Sequence, residues 1–304
     1  VTRRFLILLG LLGALAACEE VSKPQEPPVA PPPSRSAESK ALATYYRQVQ
    51  SDLLARGLLR TDGGGPDTPF TPEMLARNFE KIAFYDEYTS GAGLQRAPDQ
   101  AGYLRRWAEP VRVKLHFGAS VSEAQKAKDN ATVAEYIPRL AKVTGHPMRQ
   151  TADKANFNVL IMGADDRSEI EALLDQLLPT ASLETRALFT NPPRQIYCFV
   201  VTQATEAAPH TYTSAVALIR AEHPDLLRKS CLHEEIAQGL GLTNDSPYAR
   251  PSIFNDDEEF ALLTTHDEKL LTMLFDARLT PGMSPEDARP ITYILSREQT
   301  NQNF

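Results

Sequence analysis

The run Ser230 to Ser246, SCLHEEIAQGLGLTNDS, gathers the side chains best able to do chemistry. A helix that activates a metal-bound water needs two ligands four residues apart, because only such positions share a face, with a carboxylate beside the first as base. Counted from His233, the fourth residue is Ala237, which has no ligand atom. Gln238, one further on, is turned well away from His233 at about 100° per residue. His233 is therefore expected beside the site or at the surface. Counted from Glu234, the fourth residue is Gln238, and Asn244 and Asp245 follow after Gly241.

One carboxylate and two amides make a poor zinc site, since zinc prefers imidazole and thiolate. Calcium takes oxygen ligands but needs more of them, and more charge, than Glu234, Gln238 and Asn244 supply. The expectation is no metal cofactor, with an unusual metal left open and the three residues forming a hydrogen-bonded polar cluster. Glu235 is the candidate general base; the other reading is a structural hydrogen bond to a sheet edge. Its better acid–base partner is Asp245, because the adjacent Glu234 diverges from it around the helix. His266 and His210 are distant in sequence and could rebuild a metal site in space. The acidic run Asp256 to Glu259 reads as a solvated loop, with a weak calcium site as the alternative. No glycine-rich phosphate loop, nucleophile elbow or paired CxxC occurs.

The elements that must position these residues follow from periodicity. Residues 37–59 have helical spacing and stop at the loop TDGGGPDTP. Strands are predicted around Phe79 to Tyr88, Pro110 to Gly118, Phe157 to Gly163, Gln195 to Gln203 and Tyr212 to Arg220. Helices are predicted over Ser122 to Val143, over Glu169 to Leu178 and from about Asp225. The order implies an α+β fold, helices packed on a mixed sheet.

Composition is that of a globular chain: 304 residues and a net charge of −7, with no basic footprint for nucleic acid. At the N-terminus, Arg3 and Arg4 precede an apolar run, Phe5 to Leu15, and the small-residue site Leu15-Ala16-Ala17-Cys18, the pattern of a signal peptide over residues 1–17. The Leu-Ala-Ala-Cys run resembles a bacterial lipobox, which implies lipidation of Cys18, a membrane partner through that lipid, and a place in the cell envelope facing the periplasm. The proline-rich residues through Ser36 then form an extended tether, so that residues 18–36 link anchor to domain. In such a compartment the two remaining cysteines, Cys198 and Cys231, read as a disulfide.

Shifted by one residue from His233, the motif resembles that of the metzincin zinc peptidases, H-E-x-x-H-x-x-G-x-x-H followed by Asp. The resemblance puts Glu235 in the place of the general base and Gly241 in that of the turning glycine, with Asp245 after the third ligand position. Glu234, Gln238 and Asn244 stand where three histidines would be. PSIFND, residues 251–256, resembles the turn below the metal, with Phe254 in place of methionine. LLTTHDEKLLTMLFD resembles the closing segment and helix, with Asp267 at the helix start. The strand–helix–strand order upstream is similar to that of the matrixins. The resemblance implies a zincin-like domain over residues 105–283, an N-terminal helical/β extension over 37–104 and a C-terminal helix and tail over 284–304. The chain also resembles a bacterial lipoprotein family, a domain of unknown function, built on the same EExxQxxGLxND core. The function expected is a zinc-free pseudo-peptidase that binds a peptide or envelope polymer in the inherited cleft. A hydrolase using Glu235 and a structural partner in envelope assembly are the alternatives.

Overall fold

A computed structural model describes residues 35–89, 95, 97–255 and 257–301. The leader, Cys18, all of the tether before Arg35, and Asp256 lie outside the described residues.

The continuous apolar run FNVLIM forms β4 (Phe157–Met162), buried along its whole length, as a strand covered on both faces requires. It lies between two parallel neighbours, β2 (Val111–Phe117) and β6 (Ala208–Arg220). Val113 pairs with Phe157, and Phe157 with Ala215. Beyond β2 comes the short parallel β3 (Met148–Gln150), and β1 (Arg106–Trp107) pairs in parallel with the start of β6. β5 (Cys198–Thr205) is antiparallel to β6. The sheet is therefore mixed, as expected, though mostly parallel. Asn158, the polar residue of β4, is satisfied by His116 Nε2 at 2.9 Å on β2.

The pleat sends Phe157, Val159 and Ile161 into the larger core and Leu160 and Met162 into a smaller one on the opposite face. The smaller core is covered by α4 (Arg167–Leu177) and α5 (Leu183–Thr190), through Ile170, Leu174 and Phe189. Over the larger one lie α3 (Glu123–Thr144), α6 (Asp225–Gln238) and α7 (Thr265–Leu274). α3 starts at Ser122, whose hydroxyl accepts from Gln125 N, and stops at Gly145 with φ 66°. Two further helices, α1 (Ala37–Ala55) and α8 (Pro285–Gln299), complete the set at the ends of the described chain.

The strand predicted around Phe79 to Tyr88 is instead the end of a helix, α2 (Pro72–Phe84). Leu75, Phe79, Ile82 and Ala83 are all buried at spacings of three and four, a helical stripe that begins upstream of the stretch read as a strand. Thr71 caps it by accepting from Met74 N at 3.2 Å, and Pro72 sits in the first turn, where its missing N–H costs nothing.

α6 is tied to α3 by a buried ion pair. Arg228 Nε donates to both oxygens of Asp129, at 2.7 and 2.9 Å, while Nη1 donates to His223 O and Nη2 to Asp225. Asp129→Ala leaves the guanidinium buried without its principal acceptor. Urea denaturation is expected to show a loss of about 3–5 kcal/mol; a loss below about 1 kcal/mol, the value of an exposed pair, would contradict this account of α6.

Candidate functional site

α6 carries the motif, and the turn that follows it is locked by β1. Trp107 Nε1 donates to Gly239 O at 2.8 Å. Gly241 has φ 133°, and a Cβ there would stand 2.3 Å from Arg105 O. Only glycine fits at this turn, the position that the resemblance gave to a turning glycine.

His233 is not at the surface. It is a core residue whose ring stacks on Tyr136 at 4.0 Å and whose Nδ1 accepts from Leu263 N at 3.3 Å. Burial, then the charges of Lys229 and Arg139, push its pKa down to about 3, so it is neutral.

Asn244, at the third ligand position, serves as a cap. Its Nδ2 donates to Lys81 O at 3.0 Å and its backbone N to Ile82 O at 3.2 Å, filling two of the carbonyls that the end of α2 leaves open. Thr243 Oγ1 adds a bond to Tyr85 O. The expected mutual network does not form: among the described residues no hydrogen bond joins Glu234, Gln238 and Asn244. Gln238 is buried at the end of α6.

The two glutamates diverge, as adjacent helical residues must. Glu234 points to the edge of the sheet, with Oε2 4.0 Å from Cys198 Sγ. The disulfide predicted from cysteine parity is present, Cys198 to Cys231, fastening β5 to α6. Glu235 points inward. It is 3 % exposed, and its Oε2 has no hydrogen-bond partner. Burial pushes the Glu235 carboxyl well above its ordinary range, and the nearby charges of Glu87 and Asp245 push it further. Glu234 moves the same way, through burial first and then Glu235, Asp245, Glu258 and Glu87. The site is a cluster of carboxyls in which burial and mutual repulsion push Glu234 and Glu235 toward the protonated form.

Asp245 thus does stand within the field of Glu235. Glu87 was not visible in the sequence; it lies on the segment after α2, whose backbone Glu87 N donates to Thr243 O at 3.4 Å. Phe254 is fully buried. Asp267, also fully buried, pins the turn containing it to the start of α7: its Oδ1 accepts from Ser252 Oγ at 2.5 Å and its Oδ2 from Ile253 N and Thr264 N at 3.0 Å.

The two distant histidines do not rebuild a metal site with the motif. His266 Nε2 lies 3.1 Å from Asn78 Nδ2, and the ring meets Phe70 edge-on; His210 packs on Tyr103. Among the described residues the one group of three candidate ligands with donor atoms within 4.8 Å is Cys198, Cys231 and Glu234, and both its sulfurs are bonded to each other. A zinc ion therefore does not fit the motif positions: they offer no imidazole, and one of the two amides is taken up as a helix cap. Within the acidic run, Glu259 is paired with Arg60 and Arg250, so it is neither bare nor free to bind calcium.

A family model described as Protein of unknown function (DUF2927) matches residues 72–293, and the chain belongs to that family. No curated protein and no solved structure matches it.

The raised carboxyls fix the sign of the pH dependence. The folded cluster keeps protons that the unfolded chain releases in the ordinary carboxyl range, so the cluster's contribution to stability falls as pH climbs from that range through the raised values. Asp225, held low by Lys128 and Arg228, and Glu259, held low by Arg250, act oppositely, and only as pH drops below their ordinary range. Glu235→Gln keeps the shape without the charge. Urea denaturation is expected to show stabilisation by about 1–3 kcal/mol at pH 8 and a flatter slope between pH 5 and 8; an unchanged slope would contradict the assignment.

Proposed function

We propose that this DUF2927 chain is a cell-envelope lipoprotein whose domain descends from the metzincin fold, has lost zinc and hydrolysis, and binds an extended peptide or envelope polymer beside the motif helix. The observation that carries this reading is the state of Glu235. A general base must be ionised and reach a water molecule, whereas Glu235 is 3 % exposed and burial, with Glu87 and Asp245 nearby, pushes its carboxyl toward the protonated form.

The ancestry rests on the frame around that residue: the glycine turn after α6, the buried Asp267 pinning residues 252–253, and the β2–α3–β4 order. Binding rests on β5. Among the described residues it pairs on one side only, with β6, and its residues are partly exposed next to α6. A free antiparallel edge can accept an extended chain through main-chain hydrogen bonds, which suits a ligand of variable side chains. No helix among the described residues is long and apolar enough to cross a membrane, which leaves the lipid on Cys18 as the proposed attachment.

Two experiments test these claims. Metal analysis of the purified, disulfide-bonded protein, run beside a peptidase assay of wild type and Glu235→Ala, is expected to give no stoichiometric metal and no turnover; bound zinc with activity lost in the variant would refute the reading. Cys18→Ala in the full chain is expected to move the protein from the membrane to the soluble envelope fraction and to remove the acyl mass from its N-terminal peptide. Membrane retention by the variant would refute the anchor.

A further inference from the structure

The Cys198–Cys231 pair lies where several donor atoms converge. Cys231 is buried on α6, while Cys198 is partly exposed on the edge strand β5. Glu234 Oε2 stands 4.0 Å from Cys198 Sγ, and the donor atoms of the three residues all lie within 4.8 Å of one another. On the other side, His223 Nδ1 stands 3.8 Å from Cys231 Sγ. The imidazole is buried and its pKa is pushed well below the ordinary value by burial, then by Arg220 and Arg228, so it is neutral. Two sulfurs and a carboxyl oxygen are thus gathered in one place, with a ring nitrogen beside the buried sulfur, and the disulfide bond keeps the sulfurs from ligating.

We infer that reduction of Cys198–Cys231 opens a binding site for a thiophilic divalent cation such as Zn²⁺ or Cd²⁺, ligated by both thiolates and Glu234, with His223 Nδ1 beside Cys231 on its buried side. Tetrahedral zinc with sulfur ligands at about 2.3 Å places neighbouring ligand atoms about 3.3–3.8 Å apart. The carboxyl oxygen already stands near that spacing from Cys198 Sγ and the imidazole from Cys231 Sγ, and the two sulfurs must rotate apart once the bond between them is broken. Ligand softness suits zinc or cadmium and disfavours calcium and magnesium.

The redox step balances with a dithiol as donor. A donor thiolate attacks Cys198 Sγ, the sulfur on the partly exposed strand, and Cys231 leaves as a thiolate beside His223. The donor's second thiol resolves the mixed disulfide and departs as its own disulfide, having given two electrons and two protons. Cation binding then releases the protons of the two thiols and of the Glu234 carboxyl. The site lies on the outer side of α6 and does not involve Glu235, so it is independent of the loss of zinc from the motif positions. Metal on the oxidised protein bears on that loss; metal on the reduced protein bears on this site.

The test is Cd²⁺ titration of the full chain, oxidised and after reduction with a phosphine, read by the thiolate-to-cadmium charge-transfer band and by bound metal. The reduced protein is expected to take up one Cd²⁺ per chain with the band, and the oxidised protein none. Glu234→Gln is expected to bind at least about tenfold more weakly, as loss of a metal-supporting group does. The double variant C198S/C231S, checked for fold by circular dichroism, is expected to show neither band nor uptake. The inference is overturned if the reduced chain binds no stoichiometric metal, if it unfolds on reduction, if the double variant binds equally well, or if Glu234→Gln binds as tightly as wild type.

Discussion

Two adjacent carboxyl groups, Glu235 buried in the core and Glu234 half-buried beside β5, stand near other carboxyls, and the structure around α6 is arranged to tolerate them. Burial pushes the Glu235 carboxyl up, and the carboxylates of Glu87 and Asp245 push it the same way. Ionising such a group in a low-dielectric interior costs several kcal/mol, which favours the protonated form. A proton neutralises the charge without fixing any ligand geometry, and the polar residues that follow Glu235 in the motif are available for other uses. Asn244 illustrates the consequence, closing the end of α2 with bonds to Lys81 and Ile82.

The frame that carries the cluster is rigid. Gly241 is compelled by the approach of Arg105 O, Trp107 fastens Gly239, and Asp267 holds the turn from Ser252 to the start of α7. The disulfide ties the outer side of α6 to β5, and Arg228 with Asp129 ties its beginning to α3. α6 is thus held at its beginning, its middle and its end, while the carboxyl of Glu235 on it is pushed away from the charge state of a base. The same rigidity brings the edge strand, the disulfide and Glu234 together on one side of the helix, apart from the sealed interior carboxyl.

Much of this was legible in the sequence where a local pattern dictates the outcome. The apolar run of β4 dictates a buried strand, and the parity of the two cysteines outside the leader dictates a disulfide. α2 was misread because the window from Phe79 to Tyr88 cut away Leu75 and the Thr71 cap, leaving an apolar cluster with no visible period. His233 was placed outside the core because its partners, Tyr136 and Leu263, are distant in sequence. Glu87 was missed for the same reason: its role comes from the bonding of the chain after α2 to residues 243–244, about 150 positions on, and no local signal encodes it.

The central claim is that Glu235 holds a proton in the folded protein at neutral pH. Carbon-detected NMR of the side-chain carboxyl, assigned by comparison with Glu235→Gln and followed from acid to pH 9, measures this directly. The account requires the Glu235 signal to remain that of the protonated carboxyl at pH 7. A titration midpoint near the ordinary glutamate value of about 4.3 would show an ionised carboxylate and contradict it.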